Sequence, residues 1–416
     1  MLKDTLRVGF LLGWKQIRHA SIWTTSLIIF VMMLTFLNLV VVSGVLVGLI
    51  EGSVKAYRDQ HTGDIFISTP AGKSYIEQTS SILAKLNNIE GIESYSVRST
   101  EPVNIEANYR ERRDPQEKRD TVGTRIVGFD PAIEDSVTNL SSHMVEGSYL
   151  TSNDQGYIMV GSNLLAQYAP DFGEEFPTLV NVHPGTRVRL TVGEKVKEFT
   201  VKGVIKSKVD ETSRRVFMLK NDFLSMSGRT NLNANEIAVR IDPDFDASEI
   251  KSTFLQSGMD RTALVRLSRE GLPKALEDIM MTFDLLGNAI SSIGLVVSSI
   301  TIFIVVFVNA ITRRKYIGIL KGIGIKAGAI ELSYVMQSLL YALAGASVAM
   351  VIIYGLLVPF FDAHPINFPF SDGILVAPLS GTMVRLSILI LATVIAGYIP
   401  AWMIIKRNTL DAILGR

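Results

Sequence analysis

The sequence predicts an α+β membrane protein: four transmembrane helices arranged one plus three, and a large extracytoplasmic α+β domain that contains a β-rich insertion and is carried on helical stalks. Three observations lead there. Four long apolar runs are present, yet 19% of the 416 residues are charged, too many for a chain lying wholly in lipid. Between the first run and the second stand over two hundred residues of mixed strand and helix periodicity. Lys and Arg gather on one side of the runs, the pattern of cytoplasmic flanks.

Residues 1–21 read as a cytoplasmic amphipathic helix. The stretch ASIWTTSLIIFVMMLTFLNLVVVSGVLVGLI then carries no charge from His19 to Glu51, well over the roughly 20 residues that cross a hydrocarbon core of about 30 Å. Its apolar part is too long for a signal peptide and lacks an early small-residue cleavage site, so 22–50 reads as a retained first span. Further spans are expected at 285–311, 332–361 and 386–405. Basic residues fix the orientation. Lys3, Arg7, Lys15 and Arg18 precede span one; Arg313, Arg314, Lys315, Lys321 and Lys326 join spans two and three; Lys406, Arg407 and Arg416 follow span four. The outer connection 362–385 has two aspartates and one basic residue, Arg385, which can snorkel from the end of span four. Both termini are thus expected in the cytoplasm, with 51–282 outside and 406–416 as a cytoplasmic tail.

In the outer domain, DIFIST reads as a strand, the next segment as a helix through Ile76, Leu83, Leu86 and Ile89, and IESYSVRST as a second strand. NEIAVRID, PDFDASEIKSTFLQSG and TALVRLS repeat that strand-helix-strand order. Two like units bracketing a middle section imply an α+β sandwich with an insertion. The insertion, about 104–234, is rich in strand patterns such as TRIVGF, GYIMVG, TRVRLTV, KEFTVKGVIKS and RRVFML. Within it YRERRDPQEKRD packs nine charges into twelve residues and reads as a solvated hairpin tip. Leu272, Leu276, Ile279, Phe283 and Leu286 return to helical spacing, as a stalk entering span two.

Several chemistries lack their residues. There is no cysteine, hence no disulfide, thiolate metal site or cysteine nucleophile. A net charge of +1 gives a nucleic-acid partner no support. The GKS of Gly72–Ser74 is not a phosphate loop, because Ile67 stands where that motif needs its first glycine. His19, His61, His143, His183 and His364 have no metal-ligand spacing and read as surface or loop residues. No hydrolase elbow or acid-base pair stands out, so no catalytic, cofactor-binding or metal residue is named. Inside the spans the polar residues Asn38, Asn309 and Gln337 are amides, which suit interhelical hydrogen bonds better than ion coupling.

One short stretch, TRRKYIGILKGIGIKAGAIE at 312–331, sets five cations among apolar residues. Ile319, Ile323, Ala327 and Ile330 fall near helical spacing as one apolar stripe, while Gly322, Gly324 and Gly328, each costing roughly 1 kcal/mol against Ala, predict a broken helix. Topology alone accounts for the cations. The apolar residues need a partner, either headgroups or protein.

The one-plus-three layout and the RRKYIGILKGIG run resemble the MacB, FtsX and LolC/LolE type of ABC transporter permease over essentially the whole chain. Ile317, Gly318, Ile319, Leu320, Lys321 and Gly324 match the family's run after span two, although Tyr316 stands where an acid is usual. The ending YIPAWMIIKRNTLDAILGR is similar to the family's close through Pro400, Ala401, Asp411, Ala412 and Ile413, with Thr409 in place of a proline. The segments IVGFDPAIEDSVTNLSSHMVEGSYL and GYIMVGSNLLAQY resemble its periplasmic domain.

The resemblance implies a non-catalytic permease of the bacterial inner membrane that binds no cofactor itself. A separate ABC ATPase carrying ATP-Mg would dock on Thr312–Lys326, through Arg313, Arg314, Lys315, Ile317, Ile319, Leu320, Lys321 and Gly324, with the N-terminal amphipathic helix nearby and Lys406, Arg407 and Asp411 in the cytoplasmic tail. ATP-driven motion would reach the outer domain and export or extract an amphiphile such as a lipoprotein, peptide or drug. Four spans per chain imply a homodimer, or a heterodimer with a related permease, among membrane lipids. A periplasmic adaptor or lipoprotein carrier would be a further partner. The alternative is an FtsX-like regulatory scaffold that activates an external partner without transport; an outer domain this large favours the MacB or LolC/LolE branch.

Overall fold

The computed structural model describes residues 2–18, 21–109, 119–168, 177–368, 370–373 and 375–406. His19, most of the charged stretch YRERRDPQEKRD, and the tail residues Arg407, Asp411 and Arg416 lie outside them, as do the side chains of Lys3, Asn309 and Arg314.

In chain order the first elements are α1 (Leu2–Arg18), α2 (Ile22–Tyr57), β1 (Ile65–Ser68), α3 (Thr79–Leu86), β2 (Ile92–Glu106), β3 (Thr121–Phe129), α4 (Pro131–Thr138) and β4 (Met144–Gly147). Then come β5 (Tyr157–Gly161), β6 (Arg187–Val192), β7 (Lys195–Ile205), α5 (Asp210–Ser213), β8 (Arg215–Leu219), α6 (Lys220–Ser227), β9 (Glu236–Ile241), α7 (Ala247–Gln256) and β10 (Leu264–Leu267). The last are α8 (Lys274–Thr312), α9 (Arg314–Gly322), α10 (Ala327–Ile352), α11 (Val358–Ala363), β11 (Ile366–Phe368), β12 (Ser371–Gly373) and α12 (Leu379–Ile405). They divide into two units, one of residues 1–51, 277–367 and 373–416, the other of residues 52–276 and 368–372.

The first unit is helical. Four helical stretches among the described residues are long and apolar enough to cross a membrane: Ile22–Thr62, Leu276–Thr312, Ala327–Ala363 and Leu379–Ile405. The 36 residues of α2 and the 39 of α8 rise about 54 and 58 Å at 1.5 Å per residue, well beyond the ~30 Å of hydrocarbon. The third stretch is interrupted, with a π-helical turn at Ile353–Leu357 followed by Pro359 in α11. Such turns and prolines are where long helices bend. A buried cluster of Met32, Ile302, Val306, Ile330, Tyr334, Ala401 and Ile405 joins α2, α8, α10 and α12. Small residues set the spacing, since a Cβ on Gly345 of α10 would lie 2.6 Å from Met32 Cβ and 2.9 Å from the Ile29 carbonyl of α2.

One expectation for this unit changes. Gln337 bonds within its own helix, donating from Nε2 to the Tyr341 hydroxyl at 2.8 Å, rather than across to another. Four residues along one α-helical face are near neighbours, so the local partner wins. Asn38 does stand at a helix crossing, where its side-chain oxygen lies 3.1 Å from the position of a Cβ on Gly294 in α8.

The second unit is built on a sheet of order β10-β1-β9-β2. Strand β9 lies between β1 and β2, and β1 lies between β9 and β10, every neighbour antiparallel. The units β1-α3-β2 and β9-α7-β10 therefore interleave, giving the split βαβ, ferredoxin-like arrangement. Ile65, Ile67, Ile82, Leu86, Val239, Ile250 and Phe254 form its core. Neither unit completes the sheet alone, which is how two stretches so far apart in sequence make one layer.

The middle section is a closed ring of strands, β2-β3-β8-β5-β7-β6, because β6 pairs with both β7 and β2. Ile105, Ile126, Val160, Val188, Val201, Val216 and Met218 fill it. The alternate residues Val127, Met159 and Phe217 pack outside with Phe129, Leu140 and Leu150. Both faces of β8 are thus covered, and all five of its residues are buried. Strand β2 belongs to both sheets, pairing with β9 through Ile92–Arg98 and with β3 through Ser99–Glu106. The expected insertion edge at 104 falls inside this unbroken strand.

Candidate functional site

Helix α9 occupies the basic stretch after α8. It ends as its glycines predict. Gly324 has φ +93°, in the left-handed region, and its N–H bonds to the Lys321 carbonyl while Ile325 N–H bonds to that of Leu320, both at 3.0 Å. This is a Schellman closure, which satisfies carbonyls the helix leaves open and turns the chain into α10.

The helix has two apolar faces. Ile317, only 4% exposed, enters the buried cluster of Ile330, Tyr334, Ala401 and Ile405, with Leu320 and Ile325 packed against it. Lys321 donates from Nζ to the Ile405 carbonyl at 2.7 Å, placing a cation at the C-terminal end of α12. On the other side Tyr316, Ile319 and Ile323 are 69%, 53% and 70% exposed. Their spacing of three and four residues puts them in one row, flanked by the exposed Lys315.

The expected single stripe is therefore divided. Ile319 and Ile323 face outward, whereas Ala327 opens α10 and Ile330 is buried. Among the residues expected to take part in docking, Lys315 and Ile319 are exposed, Arg313 is half-buried at the start of α9, and Gly324 makes the turn. Ile317, Leu320 and Lys321 hold the helix to its own unit. Lys406 is exposed, its ammonium 4.8 Å from the centre of the Trp402 ring. Tyr316 and Ile323 are the additions to the row, and the spacing 316, 319, 323 is the signal that finds them.

Helix α1 lies beside α10 in the same unit. Cβ atoms on Gly9 and Gly13 would meet the Ala329 and Ser333 carbonyls at 3.0 Å, so these glycines let the two helices touch. Phe10, Leu11 and Trp14 are exposed, which with Arg7 and Lys15 gives the character of a helix lying in a membrane interface.

The second unit holds its charges inside. A π-helical turn at Arg58–Thr62 follows α2 and is fastened to the segment after β7. Gln60 Oε1 accepts from Ser207 Oγ at 2.7 Å and from Lys208 N–H at 2.8 Å, and the Tyr57 hydroxyl donates to Glu211 at 2.6 Å. His61, expected as a surface or loop residue, is buried here beside the Phe66 ring and 3.2 Å from the Thr212 hydroxyl. Close by, Arg98 of β2 grips Glu134 of α4 at 2.6 and 2.9 Å, and Arg215 of β8 grips Glu236 of β9 at 2.8 and 2.9 Å. Burial would push the Glu236 carboxyl up, but the Arg215 guanidinium opposes it and holds the group at about 2. Glu134 is held below the usual range in the same way, burial being outweighed by Arg98. These pairs tie the four-stranded sheet to the ring.

Among the described residues no three His, Asp or Glu side chains are grouped to hold a metal. Lys73 of the GKS stretch is exposed and donates to Glu77 at 2.7 Å.

Comparison with known proteins bears on the helical unit. Residues 288–409 match the family model of the FtsX-like permease C-terminal domain. That stretch is similar to the C-terminal domain of FtsX-like permeases, and with four apolar helices the match supports an ABC-transporter permease of the MacB/FtsX type. Among solved structures, the periplasmic region of MacB from Actinobacillus actinomycetemcomitans is similar at 15% identity and a TM-score of 0.35, covering 55% of this chain and 95% of that one. No curated protein matches the chain.

Proposed function

We propose that this chain is the transmembrane subunit of an ABC transporter, receiving ATP-driven motion at α9 and passing it to the extracytoplasmic domain, which exports or extracts an amphiphilic substrate. The observation that carries this reading is the row Tyr316, Ile319 and Ile323: three large side chains exposed on a helix whose other face is held by Ile317 and Lys321. A helix needs only one apolar face to pack on its own protein; a second, beside Lys315, suits a partner. The basic flanks support a cytoplasmic setting for this helix and both termini, at the inner membrane, where a separate ATPase with its ATP-Mg would meet it. Transmission would follow α2, whose continuation at Gln60 is hydrogen-bonded to Ser207 and Lys208. With four spans per chain, two permeases would share the work.

The test is purification in mild detergent and identification of any co-purifying ABC ATPase, followed by hydrolysis assays in nanodiscs. Ile319→Asp with Ile323→Asp should cut coupled hydrolysis at least about tenfold and release the ATPase. Retained binding and unchanged hydrolysis would overturn the docking role. Variants at Leu320 or Lys321 would test it less cleanly, since both side chains also serve the packing of α9.

A further inference from the structure

A polar cavity of about 500 Å³ opens in the second unit where the four-stranded sheet meets the ring of strands. One wall is the loop Thr69–Ser74 after β1, with Gly72 at φ +80°. Opposite stand Thr100, Glu101 and Pro102 of β2, Arg125 of β3, and Asn235 and Glu236 at the start of β9. The register puts this wall together. Arg125 pairs with Pro102 on one side and with Arg215 on the other, so both arginines share a sheet face with Thr100 and Glu236.

The charges of the lining do not balance once their partners are assigned. Glu236 is taken by Arg215, Glu101 faces Arg229 at 3.7 Å, and Lys73 is taken by Glu77. Arg125 is exposed and has no hydrogen-bond or ion-pair partner among the described residues. In the same lining the Thr100 hydroxyl, on a residue 3% exposed, has no hydrogen-bond partner among the described residues. A buried hydroxyl without a partner is costly unless something supplies one. An open guanidinium fork next to an unsatisfied hydroxyl is the donor set that a tetrahedral oxyanion matches, several oxygens meeting several N–H and O–H groups.

We infer that this cavity is a binding site for a phosphate group, held by the Arg125 guanidinium with the Thr100 hydroxyl as second donor. The phosphate can arrive as the headgroup of an amphiphile or as a small phosphate. Its recognition is independent of the docking reading for α9, because binding here needs neither ATP nor an ATPase.

The experiment uses the full chain in phosphatidylcholine nanodiscs, with calorimetric titration of two probes: inorganic phosphate, and dihexanoyl phosphatidylglycerol below its micellar concentration. Saturable binding of at least one probe is expected, weakened about tenfold or more by Arg125→Gln and several-fold by Thr100→Val. Arg125 is exposed, so Arg125→Gln should leave the thermal midpoint unchanged, and matching midpoints keep its loss of affinity from being read as unfolding. Tighter binding of the short-chain lipid assigns the site to a headgroup; equal or weaker binding assigns it to a small phosphate. Absence of saturable binding by both probes, or an affinity that Arg125→Gln leaves unchanged, overturns the proposal.

Discussion

The sheet-built second unit and helix α9 use the same kinds of residue in opposite ways. In the second unit charges go inside: Arg98, Glu134, Arg215 and Glu236 are buried, each with a partner of opposite sign. On α9 large apolar side chains go outside, with Tyr316, Ile319 and Ile323 exposed. Burying an ion pair gives little net stability, because desolvation consumes most of the attraction, but it makes a misplaced strand costly. Exposing apolar surface gives no stability to the free chain and makes sense when something covers it. One region is thus built to stay joined, the other to be joined by something else.

The sharpest way to break the contrast is inside the second unit. Glu134→Ala leaves the Arg98 guanidinium buried without its main partner and should destabilise that unit by about 3–5 kcal/mol, read by urea unfolding of the full chain. A loss below about 1 kcal/mol would mean the pairs do not join sheet and ring. Acid probes the same pairs without mutation. In the unfolded chain a Glu titrates near 4.3, whereas folded Glu236 is held at about 2 and Glu134 below the usual range. Below neutral pH the unfolded chain therefore takes up these protons first. The stability from the lowered carboxyls is complete above about pH 5 and disappears as pH falls toward 2. Unfolding midpoints followed from pH 6 to 2.5 should show this decline, and Glu236→Gln should flatten it.

A smaller effect is expected in the membrane unit. Gly345→Val forces a side chain against Met32 and the Ile29 carbonyl, and should cost about 1–3 kcal/mol in detergent unfolding. The smallest effect sharpens the comparison most: Ile319→Asp on its own should alter stability by no more than about 0.5 kcal/mol while still weakening ATPase capture in a pull-down. A large stability loss instead would show that the exposed row is held within its own unit.

Much of this was open to reading in the sequence, for reasons that are local. An apolar run longer than a bilayer reads as a spanning helix whatever surrounds it, and alternation in TRVRLTV or KEFTVKGVIKS marks a strand without knowledge of its partners. Gly322 and Gly324 announced a break in the basic stretch, and the helix stops there. The same local logic placed His61 in a loop, because nothing nearby in sequence says that Thr212 and Phe66 close over it. It also drew one stripe through Ile319, Ile323, Ala327 and Ile330, because periodicity carries no record of the turn at Gly324 resetting the phase.

By itself the sequence determined the elements, the four helices long and apolar enough to cross a membrane and the two strand-helix-strand units, since these follow from hydrophobic period, charge and glycine placement. Only the tertiary structure decided which elements pair and which faces are left over. Interleaving β9 between β1 and β2, closing the ring through β6 and β2, and dividing α9 into a held face and an open one all depend on residues distant in the chain. Burial is a property of what arrives from elsewhere, so the exposed row on α9 and the open Arg125 depend on where elements distant in the chain come to lie.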